Sequence, residues 1–150
     1  MNCIREAENY LRYYRELHQS IGHADRMISK LKWQSAPREV GAVNMDVTGV
    51  RAGKPINTLN QMYQLQKWQE MRERTQTEID KVEVALSGIC NKRGREVYRD
   101  ILFMWYVEEL GKEEIADKVG YTSRHLSRVK KLAMRRFAIA LFGVVALEAI

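Results

Sequence analysis

The chain has 150 residues, of which 45% are apolar and 29% charged, and 25 Lys or Arg against 19 Asp or Glu give a formal net charge of +6. That size suits one ordinary domain, or a small domain plus an extended arm, and the composition excludes both a disordered chain and a membrane protein. The longest apolar run, Phe137 to Leu147, is far short of the about 20 residues a membrane helix needs, and the opening "MNCIREAENYLRYY" has no signal-peptide pattern. Cys3 and Cys90 belong to no metal-spaced cluster, so a reduced, cytoplasmic chain is expected. His18, His23 and His125 have no cysteine or acidic partner at ligand spacing, and no nucleophile motif or Gly-rich phosphate loop occurs. Neither an enzyme nor a cofactor is expected.

The first predicted helix runs from about Ile4 to Lys32. Tyr10, Tyr14, Leu17, Ile21, Ala24, Ile28 and Leu31 alternate spacings of four and three, a heptad stripe. Residues 33–57 hold both prolines and no helical period, which predicts a mobile connection, read either as a disordered linker or as a short hairpin around Val40 to Val50. A second long helix is expected from Thr58, as N-cap, to about Leu86. Its stripe is Leu65, Trp68, Arg72, Thr75, Ile79, Val82, Leu86 and Ile89, with Arg72 and Thr75 as a polar layer that would set register or partner choice. One stripe cannot bury itself. Two such helices pair as an antiparallel hairpin within the chain, or associate with copies from other subunits, a dimer first.

"SGICNKRGRE" predicts a hinge at 88–94 between an arm, residues 1–87, and a head, residues 95–150. The fold class expected is therefore all-α: a long helical hairpin or coiled coil followed by a helix-turn-helix head. Within the head a third helix is expected over Arg95 to Leu110, with Val97, Ile101, Leu102, Trp105 and Tyr106 on one face. The run Phe137–Leu147 suits a buried or self-associating C-terminal helix.

Charge is concentrated in the head. From Lys112 to Arg136 there are eight Lys or Arg against three acids, a net of +5, which leaves 17 against 16, a net of +1, for the rest of the chain. The same window meets the demands of a helix-turn-helix. Ala116 is small where two helices would cross, and Gly120 suits a turn that needs positive φ. Thr122 or Ser123 can cap the second helix, and Ile115, Val119, Tyr121, Leu126 and Val129 can pin the pair together. The outward residues are then Ser123, Arg124, Ser127, Arg128 and Lys131. Arg124 and Arg128 suit the two acceptors of guanine, and Ser127 can donate or accept. His125 is either a base or phosphate contact or a packed ring. Lys112, Thr122, Lys130, Lys131 and Arg135 suit phosphates, which position without specifying.

The stretch "REVYRDILFMWYVEELGKEEIADKVGYTSRHLSRVKKLAMRRF" resembles region four of sigma-70 factors, and more closely the sigma-like phage and prophage regulators that include ArpU-like and RinA-like proteins. The likeness rests on Arg95-Glu96-Val97, Glu114-Ile115-Ala116, Gly120, Ser123, Val129 and Ala133. It departs at Glu109, where the family usually has glycine, at Trp105, where arginine is common, and at Phe137, where leucine is usual. The resemblance implies double-stranded DNA as partner for Thr122 to Lys131, and contact with bacterial RNA polymerase by neighbouring surfaces. The function expected is thus a sequence-specific, phage-derived transcriptional regulator of late genes, acting as a homo-oligomer in the host cytoplasm. A small-terminase-like packaging subunit and a helical interaction protein are the alternatives.

Overall fold

The computed structural model describes residues 2–35 and 54–150, with side chains for residues 2–34 and 59–150. The chain is all-α, and no strand occurs among the described residues. Its helices are α1 (Cys3–Arg12), α2 (Tyr14–Ser35), α3 (Lys54–Gly88), α4 (Tyr98–Leu102), α5 (Lys112–Val119), α6 (Ser123–Phe142) and α7 (Val144–Ala149), and a π-helical turn, Phe103–Val107, continues α4. The connection expected at 33–57 is helical at both ends, through Ser35 and again from Lys54. The hairpin or linker expected around Val40 to Val50 lies outside the described residues.

The chain forms two compact units: Met1–His18 with Thr77–Ile150, and Gln19–Gln76. The expected boundary at residues 87 and 88 is not where they divide. The reason is α1. Asn2 caps it by accepting the N–H of Arg5 at 3.1 Å, and Cys3, Ala7 and Leu11 recur at every fourth position to form one buried face. That face enters the same core as Val82, Leu86, Ile101, Leu102, Ile115, Leu126 and Phe137. The first predicted helix is accordingly two, interrupted at Tyr13, whose N–H still bonds Asn9 at 3.0 Å. The segment expected as a hinge is a turn held at both ends. Ile89 is buried in the core, and the Glu96 carboxylate accepts the N–H of Gly94 at 3.0 Å.

In this first unit, tyrosine hydroxyls tie helices together by donating to glutamates. Tyr10 donates to Glu78 at 2.9 Å, Tyr14 to Glu83 at 2.8 Å and Tyr106 to Glu8 at 3.0 Å. Burial, then the hydrogen bond to Glu83 and its negative charge, pushes the Tyr14 phenol up to about 12 from its ordinary 10.0. A folded-state value above the unfolded one stabilises the fold fully below pH 10. That contribution is lost as pH rises toward 12, where the unfolded chain ionises first. Tyr14→Phe is expected to flatten this part of the alkaline limb of a stability-against-pH curve measured by urea melts, with little change in slope below pH 9.

In the second unit, Ala24, Ile28 and Leu31 of α2 are buried, as the heptad stripe requires. Leu65, Trp68, Arg72 and Thr75 of α3 are half-buried. The polar layer is satisfied in two different ways. The Arg72 guanidinium donates to the Asp25 carboxylate on α2, whereas Thr75 turns its hydroxyl back to the Met71 carbonyl at 2.8 Å. The Trp68 ring meets His23 edge-on at 5.3 Å.

Candidate nucleic-acid interface

The segment α5–turn–α6 is built by local chemistry. Ala116 is 4% exposed and Ile115 fully buried, so the apolar side of α5 is pressed into the core. The helix then ends on Gly120 at φ 75°, and the Tyr121 N–H reaches back to the Ala116 carbonyl at 2.9 Å. This is the glycine-ended stop in which the left-handed residue frees the next N–H to close the last turn. Two residues later Thr122 takes extended backbone, and its hydroxyl accepts the His125 N–H at 3.2 Å, so Thr122 rather than Ser123 is the cap of α6. Leu126 is fully buried and Val129 nearly so, while Val119 and Tyr121 are half-buried at the turn.

The helix before this segment differs from the one expected over Arg95–Leu110. It is the short α4 followed by the π turn, closed by the Glu108 N–H on the Phe103 carbonyl at 3.0 Å. The wider turn brings Tyr106 and Val107, neighbours in sequence, both into the core. Glu109 follows at φ 54°, the sole non-glycine with positive φ among the described residues.

The cations of α6 divide by face. At 3.6 residues per turn, Arg124, Arg128, Lys131 and Arg135 fall within about 60° of arc and extend over about 16 Å. The buried Leu126, Ala133 and Phe137 lie on the opposite side. All four cations are exposed, and none is paired with a described acid. Lys112, at the start of α5, is exposed as well, as is Arg136, which was not among the expected contacts.

The remaining expected site residues are placed as follows. Ser123 is half-buried. Ser127 donates its hydroxyl to the Ser123 carbonyl at 3.2 Å, leaving oxygen lone pairs as acceptors. His125 is exposed and its ring lies edge-on to Tyr121 at 4.5 Å, so it is a packed ring with an open side. Lys130 departs from the set. Its ammonium sits over the Trp105 ring at 4.3 Å and the Tyr106 ring at 5.4 Å, on the core side of α6. Burial lowers its pKa, with Glu8 acting the other way.

The sequence held a signal for this. Lys130 follows Leu126 by four and precedes Ala133 and Met134 by three and four, the spacing of the buried face. Glu8, the acid whose charge acts on this group, carried no such signal, because its partner Tyr106 is 98 residues away.

No family model, curated protein or solved structure matches the chain. Among the described residues no group of three metal-binding side chains occurs, and no helix is long and apolar enough to cross a membrane.

Proposed function

We propose that the protein is a sequence-specific DNA-binding transcriptional regulator of the sigma-region-four-like, phage-derived type, with α5 and α6 as a helix-turn-helix and α6 in the major groove. The observation that carries this reading is the exposed row Arg124, Arg128, Lys131 and Arg135, unpaired with described acids and opposite the buried face. Such a row attracts a polyanion and releases its counterions. Arg124 and Arg128, toward the N-terminal end, read base edges, with Ser123, Ser127 and His125 beside them. Lys131, Arg135, Lys112 and the capping Thr122 meet phosphates, which fix register. The protein works in the host cytoplasm as a homo-oligomer, with α2 and α3 as its association elements, and contacts RNA polymerase once on DNA.

Selecting bound fragments from the host or phage genome and footprinting them tests this. A promoter-proximal site supports regulation, and a packaging-start site supports a terminase-like role instead. On the selected site, Arg128→Ala is expected to lose about 1–3 kcal/mol, the range for a bidentate base contact, with a much smaller loss on random duplex. Lys131→Ala is expected to weaken both alike and to reduce the salt slope by about 0.9. Equal losses on both DNAs for Arg128→Ala remove its base-reading role.

A further inference from the structure

We propose that Lys130 is a positioning residue, which registers α6 on the π turn through Trp105 and Tyr106, and not a DNA contact. This rests on the DNA-binding reading above, which it deepens. In sequence Lys130 stands beside Lys131 and looks like one more phosphate ligand. In space the two diverge. Lys131 is exposed on the outer row, whereas the Lys130 ammonium lies over two aromatic rings and is half-buried.

Both rings belong to the π turn and both face the one cation. A cation over an aromatic face is held by the ring quadrupole, more strongly where water is partly excluded. The second ring is itself fixed, since Tyr106 is 5% exposed and donates to Glu8 of α1 at 3.0 Å. Arg12, from the same face of α1, approaches Glu8 at 3.8 Å and the Tyr106 ring at 5.9 Å. The chain of contacts Glu8–Tyr106–Lys130 therefore joins α1 to α6 through the π turn. Glu8 is the acid that favours the charged lysine, and Arg12, Lys131 and Lys112 are the cations that oppose it.

The test uses the full chain with Trp33→Phe and Trp68→Phe, so that Trp105 is the sole emitter. Random-sequence duplex DNA is the probe. Lys130→Met is expected to shift Trp105 emission while leaving the slope of log affinity against log salt at the value of the unmutated lysine. Lys130→Arg, which also stacks on aromatic faces, is expected to restore the emission. Lys130→Gln is the second variant, which keeps a polar head and removes the charge, with the same two readouts. A fall in slope of about 0.9, as for Lys131→Ala, makes Lys130 a phosphate contact and overturns the proposal. Unchanged emission in both charge-removing variants overturns it too. If the starting protein shows no salt-dependent binding to duplex DNA, the DNA reading itself fails. The registering contact then stands on an emission shift reversed by arginine, and falls without one.

Discussion

Phe137→Ala is expected to remove about 3–5 kcal/mol of stability, the range for deleting a buried aromatic ring. Phe137 is fully buried and lies in the one core that holds α1, α3 and α4 through α7. Its loss removes apolar burial and leaves a cavity that closes only in part, because helices packed on several sides cannot all move inward. A domain of this size is stable by about 5–15 kcal/mol, so the variant forfeits about a fifth of that or more. Urea melts followed by Trp105 emission, with Trp33 and Trp68 replaced by phenylalanine, report this unit alone, since the other two tryptophans belong to Gln19–Gln76. Phe137→Leu keeps most of the volume and is expected to cost less, about 1–2 kcal/mol. A midpoint unchanged by Phe137→Ala would mean that the ring is not in the core.

Leu11→Ala is expected to cost about 2–5 kcal/mol in the same melt. The residue precedes Leu126, the first residue of α6 that shares its core, by 115 positions, yet it is fully buried in that core. The comparison is Leu147→Ala. Leu147 is as apolar but 61% exposed, and such a change is expected to stay within about 0.5 kcal/mol. If the two leucines cost the same, α1 is not part of the unit that carries α5 and α6. DNA affinity of Leu11→Ala should follow its folded fraction, recovering in stabilising salt-free osmolyte, because the substitution touches none of the outer cations.

What was legible in the sequence was what short stretches decide for themselves. Gly120 is in the left-handed region and Thr122 is a cap because a turn and a helix start each need a particular residue within three or four positions. The heptad stripes announced Ala24, Ile28, Leu31, Ile79, Val82 and Leu86, all buried. The seat of α1 was hidden. Its buried face runs Cys3, Ala7, Leu11, offset by one from the Tyr10–Tyr14–Leu17 stripe, and two of its three residues are small or weakly apolar. The π turn was hidden for another reason, since no local residue demands it and the packing of Tyr106 and Val107 together does. For Lys130, its charge suggested solvent while its spacing suggested the core, and the aromatic rings across from it resolve the conflict. Glu109 was also not legible, since its backbone takes a positive φ that glycine, and not glutamate, adopts without strain. The run Phe137–Leu147 splits at Gly143: Phe137 and Ala138 are buried, whereas Val144, Val145 and Leu147 are exposed.

The division of the chain into units has a consequence for how it is made. The unit that carries α5 and α6 is closed by two stretches that are separated by all of Gln19–Gln76. During synthesis α1 leaves the ribosome long before α6 exists, with Cys3, Ala7 and Leu11 unsheltered. Contacts between such distant parts form late and slowly, because a long loop must close before any of them is made. The nascent chain therefore carries an unsatisfied apolar helix until α6 emerges, and this is the interval in which a chaperone, or a neighbouring nascent chain, would find it.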